Sequence, residues 1–178
     1  MKKALLIASV LFIAVISTAC INNIAVQELN NKAAEYIQKG DYEAAVNRLQ
    51  ASIDLDSTMY ETYYNLGIAA TNAKKYDVAI DALENGLKIK PDFTNFYYSL
   101  AVAQAEYADD LEDLSDNLKD DDLKKNEAKI ADLKNSALAN AQKYLETSPQ
   151  AEDREEIEEL IEDLNKVEKK EQTKVLEG

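Results

Sequence analysis

Residues 40–46 read GDYEAAV and residues 74–80 read KKYDVAI, so Tyr42 and Tyr76, and likewise Ala45 and Ala79, stand 34 residues apart. The same interval relates Ala33 to Gly67, Leu49 to Leu83 and Ser52 to Gly86. A fixed period of this length is the mark of one small supersecondary unit used repeatedly. Such a unit cannot bury its apolar face alone, so neighbouring copies must stack. Helices approach closely only where side chains are small, which makes Ala33, Ala45, Gly67 and Ala79 the expected contact points. Tyr42 and Tyr76 are then the wedges between one hairpin and the next. Composition agrees with helices: only 4 Gly and 2 Pro in 178 residues, and 46% apolar side chains, too many for a chain disordered throughout. The expected class is all-α.

The recurring residues resemble the tetratricopeptide repeat, a helix-turn-helix unit of this length. The resemblance implies a right-handed α-solenoid. The first copy covers 26–59, with Leu29, Ala33 and Tyr36 in its first helix, Gly40-Asp41-Tyr42 in its turn, and Ala45, Leu49 and Ser52 in its second. The second covers 60–93, with Tyr63, Leu66, Gly67, Tyr76, Ala79, Leu83, Gly86 and Pro91 at the family's intervals. A third, 94–150, opens with Tyr97, Leu100 and Ala101, but Pro91 and Pro149 are 58 residues apart, which places an insertion of 24 at about 109–132. The insertion keeps helical spacing, with one stripe at Leu111, Leu114 and Leu118 and another at Leu123, Ile130, Leu133 and Ala137. Both helices of the third hairpin are therefore expected to lengthen by about 12 residues and to project roughly 18 Å. Asp120–Asp122 break the pattern and are the expected cap of the returning helix.

Residues 151–178 read as a C-terminal capping helix with a frayed tail after about Lys170. Ser148 is its expected N-cap, Pro149 its first helical position, and Ile157, Leu160, Ile161, Leu164 and Val167 its apolar stripe.

The N-terminus, MKKALLIASVLFIAVISTAC, has two lysines, an apolar run too short to span a bilayer comfortably, small residues and then the sole cysteine. It resembles a bacterial lipoprotein signal peptide over residues 1–19, which implies lipidation of Cys20 and a short membrane-proximal tether at 20–25. Ser17 departs from that family's aliphatic residue three before the cysteine. A cleaved secreted product and an uncleaved anchor are the alternatives. A single thiol forms no internal disulfide, and acylation would account for it. Ile21 is not the aspartate that retains many lipoproteins in an inner membrane, so the outer membrane or cell surface is favoured. So short a tether keeps the array close to the bilayer, and an acidic body would be held there by lipid, not by basic residues.

The charge is −14, with 34 acidic and 20 basic residues, which argues against nucleic acid. No histidine is present, which removes Ser-His-Asp and Cys-His catalysis and histidine metal sites. No Gly-rich phosphate loop occurs, and the acidic stretch at 116–127 lacks the spacing and the glycine of an EF-hand. The expectation is a protein that is not an enzyme, with no cofactor and no metal. The resemblance also implies a concave groove lined by the first helix of each unit. It presents Gln27, Asn30, Ala34 and Gln38, then Glu61, Tyr64, Ile68 and Asn72, then Asn95, Tyr98, Val102 and Glu106. Family members that clamp a C-terminal carboxylate use lysines and an asparagine; here Asn30, Ala34, Tyr64 and Ile68 hold the matching places, so an uncharged or basic segment is expected. The resulting reading is a membrane-anchored, non-catalytic scaffold that binds a protein or peptide in the bacterial envelope. The alternatives are a small-molecule-binding accessory of a transport system, a structural element docking through its acidic hairpin, and a groove filled by the protein's own helices.

Overall fold

The first two hairpins turn by the same device. Gly40 takes a left-handed backbone (φ 73°), and Lys74, one period later, takes it too (φ 55°). At each turn a backbone N–H reaches back five residues, Asp41 to the Tyr36 carbonyl (2.9 Å) and Lys75 to the Ala70 carbonyl (2.8 Å). This is the Schellman closure of a helix C-terminus. Asp41 then caps the next helix, its carboxylate accepting from the Ala44 N–H at 3.2 Å.

The structure is a computed structural model that describes residues 23–115 and 118–177, with side-chain surroundings up to residue 166. The signal segment 1–19 and Cys20 lie outside the described residues. Helix α1 covers 23–38, so the last three residues of the expected tether are already helical. It is followed by α2 (Tyr42–Leu55), α3 (Tyr60–Asn72), α4 (Tyr76–Ile89), α5 (Asn95–Ser115), α6 (Asp120–Thr147) and α7 (Arg154–Glu177). Consecutive pairs form three hairpins, and α7 packs on α6.

The small residues sit where close packing needs them. Ala33, Ala45 and Ala79 are buried in one core with Leu49, Leu66, Leu83, Phe96 and Leu100. Any Cβ on Gly67 would overlap the Leu83 side chain, and one on Gly86 would overlap the ring of Phe96. Helix α5 is apolar on two faces. Phe96, Leu100 and Ala103 join that core, while Ala101, Ala105 and Ala108 meet α6 and α7. Of the two wedge tyrosines, Tyr76 is buried and stacks on Tyr107 (centroids 5.1 Å, 18° between planes), whereas Tyr42 is half-buried. Tyr144, on α6 where the earlier copies have Ser52 and Gly86, is buried against Ala101 and Ile157. The sizes of the partners are exchanged: glycine against phenylalanine in one hairpin, tyrosine against alanine and isoleucine in the next.

The third hairpin is long but unequal. Helix α5 has 21 residues against 13 in α3, and α6 has 28 against 14 in α4. The added rise is therefore roughly 12 Å and 21 Å rather than 18 Å on each side. The reason is how α5 ends. The Asn126 amide donates to the Leu111 carbonyl (2.8 Å) and to Ser115 Oγ (2.9 Å), closing the C-terminus of α5 from the side of α6. The first turns of α6 overhang that closure. Leu111 packs against Ala108, Ile130 and Leu133, but Leu114 (58% exposed) and Leu118 (36%) have no opposing helix and stay outside, contrary to the expected stripe. The Asp120–Asp122 run is not the cap either. Lys119 holds the N-cap position without a side-chain bond, and the three aspartates fill the first turn, where the helix dipole favours them.

Ser148 closes α6 instead of opening α7. Its N–H donates to the Tyr144 carbonyl (2.8 Å) and its hydroxyl to Thr94 Oγ1 (2.7 Å). A residue before proline is disfavoured in the helical region, so α6 stops there and α7 starts later, at Arg154. Ile157 and Leu164 bury, and Leu160 and Ile161 pack against the α5–α6 hairpin; Val167 lies beyond the described side chains. The backbone of α7 stays helical to Glu177, past the Lys170 at which fraying is expected.

Candidate functional site

A cavity of about 220 Å³ opens between α3 and α5. Its walls repeat at helical spacing, Tyr64, Ile68 and Asn72 from α3 facing Tyr98, Val102 and Glu106 from α5, with each pair 34 residues apart. Six of the expected groove residues therefore come together around one space. Thr71 and Ser99 complete the lining, both small residues beside the expected columns that were not singled out in the sequence. The position of Ser99, immediately after Tyr98 on an expected groove helix, was the available signal.

The other expected residues do not join this cavity. Asn30 is engaged inside the first hairpin: its amide donates to the Val26 carbonyl and to Ser52 Oγ (3.1 Å each), and its Oδ1 accepts from Thr62 Oγ1 (3.3 Å). It joins α1, α2 and α3 as a polar tie. Gln27, Ala34, Gln38, Glu61 and Asn95 are exposed and away from the cavity.

The aromatic walls are held from behind. Tyr64 meets Phe93 (5.1 Å, 89°) and Phe96 (5.6 Å, 88°) edge to face. Tyr98 meets Tyr144 (5.5 Å, 66°), and its hydroxyl donates to Glu156 Oε1 of α7 at 2.8 Å. Burial, and then the Glu156 carboxylate, push the Tyr98 hydroxyl pKa up. A second bond of this kind runs from the Tyr144 hydroxyl to Asp153 Oδ1 at 2.6 Å, and burial with that carboxylate drives the Tyr144 pKa up to about 12. Two tyrosine–carboxylate bonds thus pin the start of α7 beside the cavity. Helix α7 reaches Tyr98, yet the space between α3 and α5 stays open.

At the opposite end stands Glu106, exposed at the mouth but partly shielded from water. That shielding, then the neighbouring Asp110, raise its carboxyl pKa, and Lys74 acts weakly in the other sense. Lys74 is bound by both oxygens of Asp110 at 2.9 and 3.0 Å. Asp110 also accepts from the Tyr76 hydroxyl (3.3 Å), and burial together with Asp110 pushes the Tyr76 pKa up to about 12. No lysine or arginine lines the cavity. A wider cleft of about 510 Å³ lies between α2 and α4, lined by Gln50, Asp54 and Asp81 over Leu66. Its floor is the packing seam of the repeats themselves, since Leu66 is a core residue. Among the described residues no group of three or more carboxylate or thiol ligands gathers to hold a metal, and no helix is long and apolar enough to cross a membrane.

Comparison with known proteins places the repeats. Tetratricopeptide-repeat family models match residues 33–70 and 60–93. The tetratricopeptide repeat and J domain-containing co-chaperone DNJ1 of Cryptococcus neoformans is 33% identical over 84 residues, which is 47% of this chain and 15% of that relative's length. Among solved structures, the TPR2B domain of yeast Sti1, in its pHsp70 complex, superposes with a TM-score of 0.61 at 17% identity, covering 80% of this chain and 98% of that one. The type III secretion chaperone SycD of Yersinia enterocolitica, in complex with a peptide of the translocator YopD, gives 0.56 at 17% identity, covering 80% and 93%. At such identities the likeness establishes the fold: an all-α solenoid of tetratricopeptide hairpins.

Proposed function

We propose that this chain is a non-catalytic scaffold of the bacterial envelope. It grips an extended or helical segment of a partner protein between α3 and α5. The observation that carries this is the cavity itself. Tyr64 and Tyr98 offer aromatic contact area, Ile68 and Val102 an apolar floor, and the rings are locked by neighbours before any ligand arrives. Arrays of the same fold are recorded in complexes, that of Sti1 with pHsp70 and that of SycD with a translocator peptide. The cavity, at about 220 Å³, falls below the usual range for drug-sized ligands, so one or two side chains of a peptide suit it better than a free small molecule. Anchoring rests on the signal-like N-terminus and Cys20, and an outer-membrane or cell-surface position rests on Ile21.

The test is recovery of cross-linked partners from cells carrying Tyr64→Ala with Tyr98→Ala, or Val102→Glu, which leaves both rings in place. Both variants should lose the wild-type partners while still melting cooperatively; full recovery would refute the groove. Fatty-acid labelling that persists in Cys20→Ala would refute the anchor. A second reading is favoured by the uncovered Leu114 and Leu118 near the hairpin tip. Changing both to serine, rather than deleting 109–132 and with it the buried Ile130, tests docking through that tip.

A further inference from the structure

We infer that the segment held in this cavity presents a lysine or arginine side chain to Glu106, beside an aliphatic or aromatic residue seated between Tyr64, Tyr98 and Val102. The inference rests on the peptide-binding reading above and specifies its chemistry.

The hydrogen-bonding inventory of the walls points to this. Three of the donors are engaged inside the protein. The Thr71 hydroxyl donates to the Gly67 carbonyl (2.9 Å), the Asn72 amide to the Ile68 carbonyl (2.9 Å) and the Tyr98 hydroxyl to Glu156 (2.8 Å). The acceptors are not. Among the described residues neither Glu106 nor the Asn72 Oδ1 has a partner, and the Tyr64 and Ser99 hydroxyls can accept as readily as donate. Lys74, the cation nearest that end, is already held by both oxygens of Asp110. Glu156 closes the other end with the same sign of charge. A ligand that brings a carboxylate has only the Tyr64 and Ser99 hydroxyls and the second Asn72 N–H to bind it, and no cation in the lining to offset repulsion by Glu106. One that brings an ammonium or guanidinium meets unpaired acceptors, and its methylene stem covers Ile68 and Val102 while the head reaches Glu106 and the Asn72 Oδ1. An overall charge of −14 steers the same class of partner toward the groove.

The experiment uses the full chain in detergent on an array of acetylated, amidated dodecapeptides in an alanine–serine background. Each peptide carries one Leu, Ile or Phe and one Lys, Arg, Gln, Glu or Asp at varied spacing. Because Glu106 is open to water on its outer side, the expected preference for Lys and Arg over Glu and Asp is about fivefold, the reach of a partly solvated ion pair. Glu106→Gln should abolish the preference and Glu106→Lys should reverse it, both with unchanged circular dichroism. Binding that depends on Tyr64 and Tyr98 but ignores ligand charge, or favours acidic peptides, overturns this inference and leaves the groove standing. No binding, or binding indifferent to the tyrosines, counts against the groove and takes this inference with it.

Discussion

Gly86 and Phe96 show how a missing atom sets the spacing of two hairpins. The glycine is buried on α4, and the Phe96 ring of α5 occupies the space a side chain would take, with the Cβ of Tyr63 3.0 Å from where a new one would sit. An alanine gains about 1 kcal/mol of helix propensity over glycine, but overpacking a closed core costs about 1–3 kcal/mol. Overpacking wins where the neighbour is a ring boxed in by Tyr60, Tyr64 and Phe93. Gly86→Ala should therefore lower stability by up to about 2 kcal/mol, and Gly67→Leu, which meets Leu83 in the same core, by more. Urea melts of the two variants check this. Stability equal to wild type would mean that α4 and α5, for Gly86, or α3 and α4, for Gly67, are not nested as described. Gly67 was legible as a contact point from the 34-residue period, because it recurs with Ala33, whereas Gly86 was placed only as a repeat position matching Ser52. The role of Asn30 was not: a polar residue on the expected open face reads as a ligand contact until Ser52 and Thr62 are seen to reach it from other helices.

At the level of the helix, the third hairpin departs from the repeat because its insertion supplies what the repeat lacks. Once the 24 inserted residues are allowed for, the place of Tyr42 and Tyr76 falls to Lys134. That side chain is 7% exposed, and its ammonium is bound by Glu112 of the lengthened α5. Asp109, the other nearby carboxylate, has its pKa raised by burial first and by Glu112 second, with Lys134 opposing. Removing one member of such a pair strands the other. Glu112→Gln should cost about 1–3 kcal/mol, a range set by the desolvation of an ill-satisfied group and moderated by the water that reaches Glu112. Adding Lys134→Met should recover most of that loss. The four-member double-mutant cycle in urea decides it, and strictly additive losses would mean the pair is not coupled. The helical periods of the insertion were legible, but its unequal division was not. That depended on Asn126 closing α5 at Ser115, a contact across 11 residues that no local pattern announces.

For the whole molecule, charge sets the pH response. Glu106 and Asp109 both have folded pKa values raised above the ordinary, chiefly by shielding from water. The folded state then binds these protons more tightly than the unfolded state, so stability falls as pH rises from the ordinary carboxylate range through the raised one. Asp56 and Asp92 are shifted the other way, Asp56 by the Thr58 hydrogen bonds and Asp92 by that of Lys90, but they are exposed and act below that window. The melting temperature should accordingly rise on acidification from neutral pH toward the ordinary carboxylate range. Glu106→Gln should raise it at neutral pH and shrink the rise; a variant with the wild-type slope would show that Glu106 does not contribute. By itself the sequence determined that this chain stacks helical hairpins, where the first two turn, and which faces those two bury, because a 34-residue period of small and aromatic residues admits few other ways to bury that surface. Tertiary structure decided the site: which columns close into one cavity, which of its donors are already spent, and that α7 reaches Tyr98 without filling the space. Those facts depend on contacts between helices far apart in the chain, Tyr98 with Glu156 and Lys74 with Asp110, and a period along one chain carries no record of what lies across from it.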